Sequence, residues 1–365
     1  MQTWPKGIFS ARLIEALFEA KHLASDRLLD DDQIQPASLD LRLGEKAFRI
    51  RSSFLPGRNA TVEERVAELT LHEIDLREGA VLERGCVYLV PLLEALDLPG
   101  EVSAAANPKS STGRLDIFTR VIFDHARSFD VVPAGYKGPL YLEVSPRTFP
   151  ILARTGSRLS QMRFRVGQTR LSEAEHRALH GAEMLVSDST FEVGEGVQLS
   201  IDLEGEGRGG LIGYRSKHHT AVVDVDKRDA LDVLDFWEPL HRRGKPELIL
   251  DPDEFYILVS REAVHIPPDY AAEMVPFDPL VGEFRVHYAG FFDPGFGHAA
   301  AGGHGARAVL EVRSHEVPFL LGHGQAVGRL IYERMAERPE MLYGKDLGSN
   351  YQAQSLKLSK HFRTE

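Results

Sequence analysis

The feature that most constrains this chain is that it repeats itself. CVYLVPLLEALDLP from Cys86 aligns with EFYILVSREAVHIP from Glu254, 168 residues further on, and LEVSPRTFPIL from Leu142 aligns with LEVRSHEVPFL from Leu310 at the same offset. Between these blocks Gly113 and Asp124 match Gly282 and Asp293, and SLDL at Ser38 resembles SIDL at Ser200. A duplication of this extent implies two structural copies, each needing a core of its own. A length of 365 residues suits two such domains.

Both copies read as mainly β. Short β-branched and aromatic runs, such as Val87 to Val90, Ile117 to Phe123 and Leu140 to Val144, are cut by Gly, Pro and Asp turns. One amphipathic helix is expected between Ser10 and Ala24, with Leu13, Ile14, Leu17 and Phe18 on one face and Ser10 as its cap. A second is expected after Ser172, where Ser172 and Glu175 make a capping box and Gly181 supplies a stop. These marks divide the chain into residues 1–171, a helical connector 172–187, a second copy 188–340 and a tail 341–365. The tail has no counterpart after the first copy, which points to one kind of site.

Charge and cysteine usage narrow the function. With 43 Lys and Arg against 54 Asp and Glu, a net −11, the chain is poorly suited to gripping a long polyanion, so no nucleic-acid partner is expected. Any phosphate must be held locally. The single cysteine, Cys86, excludes an intrachain disulfide, and MQTWPKGIFS lacks a signal-peptide pattern, so a reducing cytoplasm is expected. No apolar run approaches the roughly 20 residues that span a bilayer, and no membrane association is expected.

The stretch NPKSSTGR, from Asn107 to Arg114, gathers Lys109, Ser110, Ser111, Gly113 and Arg114 into one turn before a strand. Hydroxyl donors, a closely approachable backbone and a bidentate guanidinium are what a polyphosphate needs. The same residues are also ordinary turn formers. The second copy separates the two explanations: it reads PFDPLVGE, with Pro279 and Leu280 for the serines and Glu283 for the arginine, while Gly282 stays. The turn can be made without these polar groups, so their presence in the first copy points to function.

On these residues the chain resembles the dCTP deaminase branch of the dUTPase-like family. The likeness rests on IQPASLDLRLG at Ile34, PKSSTGR at Pro108, YLEV at Tyr141, GSRLSQMRF at Gly156 and YGKDLGSNYQAQS at Tyr343. It implies two tandem dUTPase-like β-barrel or β-clip domains with a few short helices, packed in a trimer-type homo-oligomer. It also implies hydrolysis of free dCTP to dUTP and ammonia, with dUTP or dTTP as product or effector. The glutamate of the LE pair would act as general base on water, a role that Glu143 or, in the second copy, Glu311 would fill. Groups so placed contribute about 10²–10⁴-fold to rate.

The resemblance further implies that Lys109, Ser110, Ser111, Arg114 and Gln161 bind the nucleotide. A hairpin of the type I-D-P-G-[FW]-S-G would bind base and deoxyribose. The first copy departs from it, with Pro133 at the aspartate position; the second restores it as FFDPGFG, with Asp293 and Phe296. A composite site is therefore expected, taking the turn from one copy and the hairpin from another. Lys345, Tyr351, Gln352 and Gln354 of the tail would close over the nucleotide, with Asn350 standing where the family has lysine.

Zinc is not expected, because nucleobase deaminases that use it need His/Cys/Cys or three cysteines. His125, His218, His219, His298 and His304 form no recognised ligand spacing. Mg²⁺ is expected only as the ion bound to the triphosphate. Two rival functions stay open at this point: a dUTP diphosphatase, alone or combined with the deaminase, and a nucleotide-binding regulator without chemistry.

Overall fold

The computed structural model describes residues 3–187, 194–205, 210–276, 284–287, 290–314, 316–344 and 356–363. Two compact units divide it. One comprises Met1–Thr169, His219–Ala230 and Met335–Glu337, the other Arg170–His218, Leu231–Arg334 and Arg338–Glu365.

In the first unit Ser10 accepts the Leu13 amide and starts helix α1, Ala11–Glu19, which buries Leu13, Ile14 and Leu17. The helix is shorter than its apolar spacing suggested, because the chain turns at Lys21, φ 60, into a strand at Leu23–Ser25. A helix that the sequence reading did not anticipate, α2 over Val62–Leu69, is opened by a Thr61–Glu64 capping box. Three sheets complete the unit. The first runs Val131–Val132, Val102–Pro108, Arg158–Val166, Ser38–Arg42 and Ile34–Gln35, with Gly7–Ile8 also on Arg158–Val166. The second runs Ile117–Phe123, Lys137–Pro146, Val87–Asp97, Lys46–Ile50 and Thr70–Asp75, with Leu23–Ser25 on Val87–Asp97. The third sets Ile151–Ala153 between Ala80–Leu82 and Val223–Asp224.

Leu39, Leu89, Val121, Leu140, Leu142, Val144, Met162 and Phe164 are buried here. Each such side chain contributes about 1.5–3 kcal/mol on burial, so the sheet faces add to the core that α1 helps to form.

The second unit opens with helix α4, Glu173–Ala182, whose Ser172–Glu175 capping box is present; the helix continues through Gly181 instead of stopping there. Hydrogen bonds from the Ser172 backbone and hydroxyl hold the Glu175 carboxyl down at about 2. Buried His176 fixes the helix to the sheet: its Nδ1 is 3.0 Å from the Ser172 carbonyl, and its Nε2 accepts the Tyr332 amide at 3.1 Å. The sheets run Val197–Ser200, Ala326–Arg334, Tyr270–Pro276, Phe291–Phe292; then Trp237–His241, Leu211–Ser216, Phe255–Val264, Ala306–Ser314, Phe284–His287; and Glu247–Leu250 with Phe319–Gly322.

The duplication extends to individual contacts. Tyr88 accepts the Glu83 amide at 2.9 Å, and Tyr256 accepts the Asp251 amide at 3.0 Å. Register repeats too: Val166 faces Val102 in one unit as Arg334 faces Tyr270 in the other.

The expected tandem dUTPase-like barrel or clip domains are corrected. The mainly β character with helices stands, but the arrangement is classed as a 5-bladed β-propeller instead. Among the described residues the sheets are open and none closes on itself. Alternating runs and turns specify that strands form; they do not specify whether the ends of a sheet meet.

Candidate active site

The NPKSSTGR stretch lies between two strands of different sheets in the first unit. Lys109, extended at φ −65 and ψ 148, precedes a single helical turn, α3, over Ser110–Gly113, and Arg114 ends it. Ser111 and Arg114 are buried, at 6% and 4% exposure, so the turn is packed into the unit. The Lys109 amide donates to the Leu159 carbonyl at 3.0 Å, which brings the turn to the Gln161 strand.

Gln161 lies opposite Asn107 on one side and Asp40 on the other, and its Oε1 accepts from Ser38 at 3.3 Å. Lys109 Nζ is bonded to Asp40, which also has Arg158 at 3.7 Å. Lys109 is thus tied to a carboxylate, and its charge is partly offset before any ligand arrives. Asp40 Oδ1 and Asn107 Nδ2 are buried with no hydrogen-bond partner among the described residues. Such atoms are costly unless a ligand or water satisfies them.

Glu143 sits in the second sheet of this unit and is 2% exposed. It stands between Arg120 on the neighbouring strand and Leu89 on the other side. Arg120 donates to Glu143 Oε1 through Nε at 3.0 Å and Nη2 at 2.6 Å. The strand carrying Arg120 begins three residues after Arg114, so α3 leads directly into the element that faces the glutamate. Asp130 accepts the Val121 amide at 2.7 Å, and burial pushes its carboxyl up to about 7 although the residue as a whole is half-buried.

In the second unit Glu311 is buried at 5% exposure and lies opposite Ile257. The FFDPGFG hairpin bends at Gly295, φ +95, where a Cβ would come within 2.9 Å of Leu342. Asp293 is 9% exposed, and Phe296 belongs to the core, with its ring centroid 5.1 Å from Phe292 and 5.6 Å from Tyr343. The Tyr343 amide donates to Pro294 at 2.8 Å, so the chain entering the tail rests on this hairpin. Lys345, Tyr351, Gln352 and Gln354 lie outside the described residues.

The first unit therefore joins Lys109, Ser110, Ser111, Arg114 and Gln161 in one neighbourhood and sets Glu143 on the sheet that follows. Arg120, Asp40 and Arg158 were not singled out from sequence, although SLDL and GSRLSQ carried two of them. Among the described residues no group of three or more His, Cys, Asp and Glu side chains is placed to hold a metal ion. His218 is engaged with Glu254 at 2.8 Å and His298 with Glu183 at 3.2 Å. Among these residues no helix is long and apolar enough to cross a membrane.

A buried, arginine-held carboxylate in the same unit as a serine and arginine turn defines the class: a duplicated β protein with the parts of a nucleotide-transforming site. The pattern of the 2′-deoxycytidine 5′-triphosphate deaminase N-terminal domain matches residues 5–168, and that of its C-terminal domain matches residues 172–362. The chain belongs to the dCTP deaminase family.

A solved 2′-deoxycytidine 5′-triphosphate deaminase from Agrobacterium tumefaciens is 67% identical, with a TM-score of 0.88 over 92% of this chain and 100% of that one. A dCTP deaminase of Halorubrum lacusprofundi is 34% identical over 136 residues, which are 37% of this chain and 64% of that protein. A dUMP-forming dCTP deaminase of Beutenbergia cavernae is 32% identical over 158 residues, 43% of this chain and 78% of that protein.

Proposed function

We propose that the protein hydrolyses free dCTP to dUTP and ammonia, with a glutamate as general base and without zinc. The observation that carries the reading is Glu143: a carboxylate 2% exposed on an internal strand and fixed by Arg120, in the unit that also holds the serine and arginine turn. Water attacks C4 of cytosine as Glu143 takes one of its protons and passes it to N3, giving a tetrahedral centre with a C4 hydroxyl. Glu143 then takes the hydroxyl proton and delivers it to the exocyclic nitrogen, so the C4–N bond breaks and ammonia leaves as the C4 carbonyl forms.

Ser110, Ser111 and Arg114 hold the triphosphate, with its Mg²⁺ as part of the substrate. Gln161, between Asp40 and Asn107, lines the approach, and the unsatisfied atoms of those two neighbours support a polar ligand there. Residues 1–171 supply this machinery, residues 172–187 connect, residues 188–340 contribute Asp293, Phe296 and Glu311, and the tail supplies Lys345, Tyr351, Gln352 and Gln354. Assembly is a homo-oligomer with trimer-type packing of domains, acting in the cytoplasm.

A second reading adds cleavage of dUTP to dUMP and pyrophosphate. The dUMP-forming relative from Beutenbergia cavernae favours testing it. Replacing Glu143 by Gln tests the mechanism: ammonia release from dCTP falls by about 10²–10⁴-fold while the nucleotide still binds. Full activity in both Glu143→Gln and Glu311→Gln would remove glutamate from the chemistry.

A further inference from the structure

We propose that Arg120 is a positioning residue for the reaction, clamping the Glu143 carboxylate through Oε1 and leaving Oε2 to receive the proton of the attacking water. The inference rests on the reading of Glu143 as the base. Both Arg120 bonds, from Nε at 3.0 Å and Nη2 at 2.6 Å, converge on Oε1. Among the described residues Oε2 has no such bond.

The arginine is itself held in place. Its guanidinium carbon lies 3.6 Å from the centroid of the Phe129 ring and 4.7 Å from that of Phe118, and Nη2 also donates to Ser53 at 2.7 Å. A cation over an aromatic face is attracted to it, more strongly when water is excluded. The segment carrying Phe129 is anchored in turn, because Asp130 exchanges two bonds with Val121: its amide donates to the Val121 carbonyl at 3.0 Å and its carboxyl accepts the Val121 amide at 2.7 Å.

Arg120 faces Glu143 from the neighbouring strand and Asp130 adds a carboxyl from the segment after that strand, whereas Leu89 opposite on the other side is uncharged. Burial pushes Asp130 up to about 7, and Glu143 adds to that rise by repulsion. Arg120 is the cation hydrogen-bonded to this buried carboxylate. A carboxylate with one oxygen clamped and the other open is oriented as a base rather than merely neutralised.

The test compares kcat, KM and the pH dependence of kcat/KM for dCTP in wild type, Arg120→Met, Arg120→Lys and Phe129→Leu. Folding is checked by circular dichroism and melting. In Arg120→Met, kcat falls about 10–100-fold, KM changes less than about threefold, and the acidic limb moves up by about one pH unit. Arg120→Lys returns the limb most of the way. Phe129→Leu, which keeps the charge and loosens its seat, lowers kcat with a smaller movement of the limb.

A folded Arg120→Met or Phe129→Leu protein with wild-type kcat and an unmoved limb overturns the proposal, as does Arg120→Lys behaving like Arg120→Met. Should Arg120→Met not fold, the other two variants decide by the same criteria. Wild type releasing no ammonia from dCTP overturns the underlying reading, and the inference with it.

Discussion

Glu94 and Glu262 occupy matching positions in the two copies, and each caps a backbone amide of another strand, Glu94 that of Arg42 and Glu262 that of Ser200, both at 2.8 Å. Their partners differ. Glu94 Oε1 accepts from Arg42 Nε at 2.9 Å and from Gln33 at 2.9 Å, whereas Glu262 Oε1 accepts from the Ser200 hydroxyl at 2.5 Å. The duplicated frame thus keeps its glutamate and changes what it holds. Desolvation pushes the Glu94 carboxyl above its ordinary value despite the Arg42 guanidinium, the sign of an ion pair taken well out of water.

Removing one member of such a pair strands the other. Glu94→Ala leaves the Arg42 guanidinium buried without that carboxylate and is expected to cost about 3–5 kcal/mol in urea unfolding. Glu262→Ala removes a neutral hydroxyl contact and an amide cap, and should cost about 1–3 kcal/mol. Equal losses would mean that the arginine adds nothing beyond the shared cap.

The serine and arginine turn makes a different kind of prediction, because its effect should appear in binding. If Arg114 holds the triphosphate as proposed, Arg114→Met removes charge-assisted contacts each worth about 1.5–3 kcal/mol and should raise KM for dCTP by about 10–100-fold. Deoxycytidine, which has no phosphate, should be handled equally badly by wild type and variant. A KM within twofold of wild type would show that the turn is structural.

His176 gives a pH signature for α4. Burial lowers its proton affinity, and its Nε2 accepts the Tyr332 amide, so the neutral ring is the one that fits. At and below the ordinary value of 6.5 the unfolded chain binds a proton that the folded chain resists, so stability falls as the pH falls. His176→Gln should flatten this dependence between about pH 7 and about pH 5 in denaturant unfolding. An unchanged slope would place the acid sensitivity elsewhere.

How much of this was legible in the sequence depends on the kind of feature. Ser10 and the Ser172–Glu175 box marked helix starts because capping is local chemistry. Ile117–Phe123 matched its strand end for end, since alternation and flanking turns define such a run. Sheet closure was not legible, because it depends on which distant strands become neighbours. Nor was the Arg120–Glu143 pair: 23 residues separate the two, and only the register of adjacent strands sets them opposite.

Asp40 was visible as a repeated residue but not as the partner of Lys109, which is a contact across 69 residues. The end of the chain is partly buried. Ser359, His361 and Phe362 are buried, and the Phe362 ring lies 5.4 Å from Phe236 and 6.0 Å from Trp237. Cutting the chain after Tyr343 would uncover these aromatics, so substitutions at Tyr351 or Gln354 probe the tail more cleanly than a truncation.

The central claim is tested most directly by ammonia release from dCTP by the full chain after dialysis against a zinc chelator, with Mg²⁺ restored. The account predicts stoichiometric ammonia and dUTP at the untreated rate, and any dUMP formed would be matched by pyrophosphate. Absence of ammonia before treatment, or activity lost to the chelator and restored by zinc but not by Mg²⁺, would contradict it.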